Sequence, residues 1–260
     1  MMFRMVVLMY HRVCPDSEEV TSRYVVSKSN FRKQMEFLSR NGYYTPTLDK
    51  LLHGTPKENR SRPIVITFDD GYLDNYENAF PVLQEFGFSA LIFLVTDFSR
   101  SANWWDRPGR LGNVDLLRPH HIQSMSKAGI QFGAHSFSHP RLPELDDNEL
   151  GEELRKSKLS LESTVEQSFS PIAYPYGCVD NRVKDAVRRA GFHCGFAVYS
   201  GPLSYSSDLF EIRRVFMTNR ASFLYLLYKA YGADHLVQWA LWSVKKLFGL
   251  QDRSRRKRQM

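Results

Sequence analysis

The chain is predicted to fold as an α/β protein whose sheet is mainly parallel and covered by helices. Three observations predict this. Strand-like and helix-like segments alternate from end to end. The strand-like segments are short, continuous apolar runs, and the length of 260 residues suits a single α/β barrel. Apolar runs without alternation mark strands buried on both faces, the condition of a parallel sheet lying under helices.

The elements follow in order. Residues 5–10 read as the first strand. Asn30 is the expected N-cap of a helix that carries Phe31, Met35, Phe37 and Leu38 and stops at Asn41-Gly42. Residues 47–52 form a short helical turn. A second strand, 63–68, centres on Ile64-Val65-Ile66. A helix from about Asn75 to Phe86 follows, bent at Pro81. Ala90–Val95 is a fully apolar strand. The stretch 97–117 reads as a loop around Trp104-Trp105-Asp106. A helix over 118–128 starts near His120 and His121, which are given no role, and Gly129–Gly133 is the next strand. Residues 147–167 form a charged amphipathic helix. Pro171–Tyr174 is a strand, Asp180 caps a helix that ends at Gly191, and Phe192–Val198 is a strand in which His193 is structural.

Two motifs, 64 residues apart along this pattern, carry chemistry. Thr67-Phe68-Asp69-Asp70-Gly71 places two carboxylates where a buried strand ends, with a glycine to turn the chain. His135-Ser136-Phe137-Ser138-His139 places two imidazoles four residues apart, after another strand. Helical spacing could explain the pair, but Pro140 and the preceding strand favour a loop. In a parallel sheet both strand ends face the same way, so one carboxylate and two imidazoles can meet at a metal. Such a ligand set leaves coordination positions open for a reaction. The other carboxylate is then free to act as a base, and the set reads as a hydrolase site.

These motifs, followed by Tyr174-Pro175-Tyr176-Gly177, resemble in order and spacing those of the polysaccharide deacetylases, the NodB-homology or carbohydrate esterase family 4. The resemblance spans roughly residues 5–217 and implies a deformed (β/α) barrel. It implies that Asp69 is the base and that Asp70, His135 and His139 bind a divalent metal. Zinc is favoured for that donor set, and cobalt or nickel would also suit it. It also implies that Tyr174, Pro175 and Tyr176 line the substrate groove, with the Tyr176 backbone N–H facing the oxyanion.

The chain departs from the family pattern in two places. Many members carry an arginine two residues before the motif's proline, where it pairs with the base, but this position is Ala173. Arg214 is the expected substitute, with Arg213 second. The family's C-terminal Leu-x-His is also missing. Leu8-Met9-Tyr10-His11-Arg12 instead resembles a permuted subgroup, including biofilm poly-N-acetylglucosamine deacetylases, whose acid histidine is N-terminal. His11 is thus the expected general acid. Trp104 and Trp105 suit either loop packing or stacking on a pyranose ring.

The implied reaction removes an N-acetyl group from an amino-sugar glycan or glycan precursor, lipid-linked sugars included. The rival reading is a non-catalytic sugar-binding member of the same fold. Residues 1–217 are expected to form the catalytic domain, 218–250 a helical extension, and 251–260 a basic tail.

Hydrophobic content of 43% and charged content of 24% suit a globular protein. Three scattered cysteines, Cys14, Cys178 and Cys194, make neither a disulfide framework nor a zinc ribbon. The net charge is +7, but the last ten residues hold five basic groups and one acidic group, which leaves +3 for the rest. The basic balance therefore belongs mostly to the tail and gives no reason to expect a nucleic-acid partner. The short apolar N-terminus lacks a small-residue cleavage site, so cytoplasmic residence is the expectation. The extension presents Leu236, Val237, Ala240, Leu241, Val244, Leu247 and Phe248. It could pack on the barrel or, helped by the tail, rest on the inner membrane face.

Overall fold

The computed structural model describes residues 6–53, 62–106, 111–165, 167, 169–198 and 208–221. The helical extension and basic tail fall almost wholly outside these residues, and with them the choice between barrel packing and membrane contact. Among the described residues, no helix is long and apolar enough to cross a membrane.

The strands, in chain order, are β1 (Val6–Tyr10), β2 (Arg12–Cys14), β3 (Val25–Ser27), β4 (Tyr43–Tyr44), β5 (Arg62–Phe68), β6 (Leu91–Leu94), β7 (Gln131–Ala134), β8 (Pro171–Ala173), β9 (Cys194–Phe196) and β10 (Val215–Phe216). Seven of them run parallel in the order β10-β1-β5-β6-β7-β8-β9. β4 pairs with the start of β5, and β2 with β3 forms a small separate ladder. The two edges of the main sheet are joined by one segment. Ile212 bridges to Phe196 of β9, and Val215, three residues on, pairs with Leu8 of β1. The sheet is thereby curled into a deformed (β/α) barrel.

Alternation along the strands divides the core in two. Val7, Val65, Leu91, Phe93, Ala173, Cys194 and Phe196 form one buried cluster, which fills the enclosed side. Their strand neighbours, among them Leu8, Tyr10, Ile64, Ile66, Ile92, Leu94, Phe132 and Ile172, pack outward under the helices. The helices are α1 (Lys28–Arg40), α2 (Leu48–His53), α3 (Phe80–Glu85), α4 (Pro119–Lys127), α5 (Asp147–Thr164) and α6 (Asn181–Arg189).

Most element boundaries match the sequence pattern within a few residues, and two differ for physical reasons. The N-cap of α1 is Ser27, whose hydroxyl accepts the Asn30 N–H. The Asn30 side chain is engaged elsewhere, donating to the side chain and backbone oxygens of Asn219. The helix expected over 75–86 opens with a π turn, Asn75–Ala79, before α3 begins. A proline at position 81 has no N–H to give to the preceding turn, which eases the change of pitch. Asp180 caps α6 by accepting the Val183 N–H, and His193 accepts the Ser170 N–H through Nδ1 at 3.0 Å.

Candidate active site

The ends of β5, β7, β8 and β1 open on one rim, and their sequels carry the chemistry. Beyond β5 the chain turns sharply at Asp70, with φ 73°, and Gly71, with φ 73°. A Cβ at Gly71 would press on Leu94, so both the conformation and the space require glycine there. Beyond β7, Ser136 and His139 also adopt positive φ, and beyond β8 Tyr176 does. Among the described residues these four are all the non-glycine residues with positive φ. Strained backbone gathered at one rim marks a functional site.

The strain is held by hydrogen bonds. Ser136 Oγ accepts the His139 N–H at 3.0 Å. Glu153 of α5 accepts the Ser138 N–H at 2.6 Å and takes its hydroxyl as well. The loop that carries both histidines is thus tied to a helix.

Asp70, His135 and His139 converge, all buried, with one ligand atom from each within 4.8 Å of the others. Asp70 Oδ1 lies 3.5 Å from His135 Nε2 and 3.3 Å from His139 Nε2. His135 Nδ1 meets the Ala173 carbonyl oxygen at 2.9 Å, which sets the tautomer and turns the Nε2 lone pair toward Asp70. Burial lowers the pKa of both imidazoles, that of His139 to about 3, so both are neutral at working pH. Burial raises the pKa of Asp70 against the pull of His11, His135 and a hydrogen bond from Tyr72. A buried carboxylate facing two neutral imidazoles is a site short of positive charge. Its N and O donors fit a divalent transition metal.

Asp69 faces a different neighbour. Arg214, fully buried, forks onto it, with Nη1 to Oδ1 at 2.5 Å and Nη2 to Oδ2 at 2.8 Å. The guanidinium also donates to the Ala197 carbonyl and sits over the Phe93 ring. Burial alone would raise the Asp69 pKa, but the Arg214 guanidinium, by charge and hydrogen bonds, leads the groups that outweigh it and hold the carboxyl at about 2. Arg213 makes its ion pair with Glu211 instead. An Arg214→Lys protein is expected to fold but to hold Asp69 less firmly, since one ammonium cannot make the fork. The acidic limb of its pH–rate profile should move upward. An unmoved limb would take Arg214 out of the site's electrostatics.

His11 follows β1 on the same rim. Its ring meets Tyr24 edge-on at 4.8 Å and Phe216 at 5.8 Å. Burial lowers its pKa, opposed chiefly by Asp70 and Asp69, so it lies in the field of both carboxylates. Trp105 stacks on His139 at 4.8 Å, and Trp104 packs edge-on against Trp105 at 4.9 Å. Tyr176 meets His139 edge-on at 4.6 Å and is 44% exposed, open to a ligand.

Two expected groove residues are placed otherwise. Tyr174 is fully buried, donates its hydroxyl to the Phe210 carbonyl at 2.8 Å, and packs where a Cβ on Gly195 would clash. Its ring is part of the core, because alternation past Ala173 turns it into the cluster that packs under the helices. Pro175 is buried as well. Sequence reasoning missed Tyr72, which supports Asp70, and Glu153, which supports the histidine loop. The position of Tyr72 directly after the Asp-Asp-Gly turn was the only local signal for it. Glu153 lies 15 residues from Ser138 and left none.

Comparison with known proteins agrees with this geometry. A sequence profile described as polysaccharide deacetylase matches residues 56–195. A Bacillus subtilis protein whose name places it among polysaccharide deacetylases is 28% identical over 211 residues, covering 80% of this chain and 70% of its own length. A Staphylococcus aureus poly-beta-1,6-N-acetyl-D-glucosamine N-deacetylase is 25% identical over 215 residues, covering 79% of this chain and 72% of that protein. Among solved structures, the Streptococcus pyogenes deacetylase PplD in complex with acetate superposes with a TM-score of 0.72 at 23% identity. That superposition covers 87% of this chain and 97% of PplD and speaks to the fold.

Proposed function

This chain belongs to the polysaccharide deacetylase family, and on that premise we propose a division of labour among its residues. The chain is a hydrolase that cleaves the amide bond of an N-acetyl group on a glycan. The observation that carries the reading is the buried Asp70, His135 and His139 set standing beside an arginine-clamped carboxylate, Asp69.

Asp70, His135 and His139 would hold the divalent metal, with zinc the best match to two imidazoles and one carboxylate. When bound there, the metal acidifies a water and polarises the acetamide carbonyl, which suits a base held as low as Asp69. Asp69 accepts the proton of the attacking water on its carboxylate. The fork from Arg214 keeps that carboxylate ionised and fixes its orientation. The backbone N–H of Tyr176, presented by a residue at φ 57°, donates to the oxygen that becomes negative. His11 gives a proton to the amine nitrogen as the C–N bond breaks. Acetate and a free amino sugar leave. Trp105 and Tyr176, both packed against His139, offer faces and edges to the sugar ring and exclude water from the ligand imidazole.

With alanine at position 173, a base left without a cation would suit the rival non-catalytic reading. Arg214, which stands just before β10, fills that need, and this supports the catalytic reading over the rival. We assign an N-acetylated glycan or a lipid-linked amino sugar as the substrate class. A panel of chito-oligomers, poly-N-acetylglucosamine and lipid-linked N-acetyl sugars, scored for acetate released by zinc-loaded protein, tests both assignments. Release from at least one class is expected. Silence across the panel with full metal loading would favour the binding-only reading.

A further inference from the structure

The bend between β1 and β2 carries His11, and three successive residues there are gripped from one place. Asn75 Nδ2 donates to the His11 carbonyl at 2.8 Å. The Arg12 guanidinium pairs with Asp74 through Nε at 2.7 Å and forks onto Glu18. Val13 gives its N–H to Asp74 Oδ1 at 3.3 Å and takes an N–H of Asn78 on its carbonyl at 2.9 Å. Asp74 is the residue before the π turn, and Asn75 and Asn78 lie within it.

Three features set this grip apart from ordinary structural packing. A π turn is a rare geometry concentrated at functional sites. Asn75 is fully buried, yet its Oδ1 has no hydrogen-bond partner among the described residues, and a buried unsatisfied group is costly to keep. The residue is therefore held for its donor end, on which the His11 carbonyl and Asp74 Oδ1 both converge. Third, His11 Nδ1 is buried without a hydrogen-bond partner among the described residues. No carboxylate orients the ring through that nitrogen, so its orientation must come from its backbone and from Tyr24 and Phe216.

We propose that Asn75, supported by Asp74 and Asn78, is the positioning element for His11, fixing the His11 peptide so that the imidazole is aimed at the leaving nitrogen. The proposal rests on the reading of His11 as the general acid. The Asn75 side chain gives its hydrogen bonds to the His11 carbonyl and to Asp74, so its action on the reaction runs through His11.

The test compares two leaving groups. An acetamide on an N-acetylglucosamine oligomer needs a proton on its departing nitrogen. The nitrophenolate of 4-nitrophenyl acetate leaves without one. Asn75→Ala is expected to lower acetamide kcat by about tenfold or more, the scale of a misplaced catalytic group. The loss on the aryl ester should be at least several times smaller. In the double variant with His11→Ala, the acetamide loss should equal that of His11→Ala alone, because Asn75 has nothing left to position. Asn75→Leu keeps the branched outline and the number of side-chain heavy atoms and lacks the orphaned oxygen, so it carries the same test in a second variant. Equal losses on both substrates, or additive losses in the double variant, would overturn the proposal. If His11→Ala itself depresses both substrates equally, the acid reading fails first, and that arm separates the two failures.

Discussion

Replacing Asp69 with asparagine is expected to remove turnover by roughly 10²–10⁴-fold while leaving the metal bound, the range assigned to general-base catalysis. The amide has nearly the same shape but cannot accept the proton of the attacking water. Its neighbour sharpens the test. Arg214 presents two N–H groups to two carboxylate oxygens, both within 2.8 Å. An asparagine offers one acceptor and turns an NH₂ toward the other donor, leaving a buried guanidinium poorly matched. Breaking a buried ion pair on one side typically costs about 3–5 kcal/mol, so stability should fall along with activity.

A second variant separates the two losses. Asp69→Asn combined with Arg214→Met removes the stranded charge and should regain part of the melting temperature, with no return of acetate release. Linkage gives a further check. The folded pKa of Asp69, about 2, lies below its ordinary value of 3.8. Its contribution is therefore complete above pH 4 and is lost as pH falls through 2. By the shift this is roughly 2 kcal/mol in the wild-type protein, and it is absent from the asparagine variant. Near-wild-type acetate release from Asp69→Asn would remove the base from the mechanism outright.

How far the sequence disclosed this arrangement depended on whether each signal was local. The strand run before Asp69 was readable because a buried parallel strand is largely apolar, and the run before His135 because Ile130, Phe132 and Ala134 sit between the turn glycine Gly129 and the histidine motif. A parallel sheet then sends all the strand ends to one rim, so Asp69, Asp70, His135, His139 and His11 could be placed together without knowledge of any contact. Arg214 was reachable by need, since a buried base requires a cation and position 173 is alanine. The hidden parts are long-range or conformational. Asn75 reaches His11 across 64 residues, and nothing in an otherwise helical pattern marks its turn as π. Ser27 and Asn30 have similar capping propensities, but the helix begins at Lys28 with Ser27 as its cap, and Asn30, inside it, gives its amide N–H groups to Asn219. Tyr174 sits inside a site motif yet faces the core, a matter of strand phase that a motif cannot convey.

Removing His139 is expected to abolish both metal binding and activity, and the backbone at this residue decides how to show it. His139 adopts φ 64°, held by Ser136 Oγ on its N–H. An alanine there would lose a ligand and also strain the turn, confusing the two causes. Asparagine tolerates positive φ better than alanine, so His139→Asn isolates the ligand. Loss of a supporting residue around a metal site weakens binding by about 10–100-fold, and loss of a ligand should cost no less than the upper figure. With metal at 100 times the wild-type Kd, the wild-type protein gains about 2.7 kcal/mol of stability from binding. A variant with 100-fold weaker affinity gains about 0.4 kcal/mol by the same relation. Thermal melts with and without added zinc read that difference directly, without recourse to turnover. The neutral state of His135 and His139, secured by burial, means that proton competition does not blur the comparison near neutral pH. If elemental analysis finds His139→Asn fully loaded and its melt shifted by zinc as far as the wild type, the metal lies elsewhere, and Asp70, His135 and His139 form a buried polar cluster of another kind.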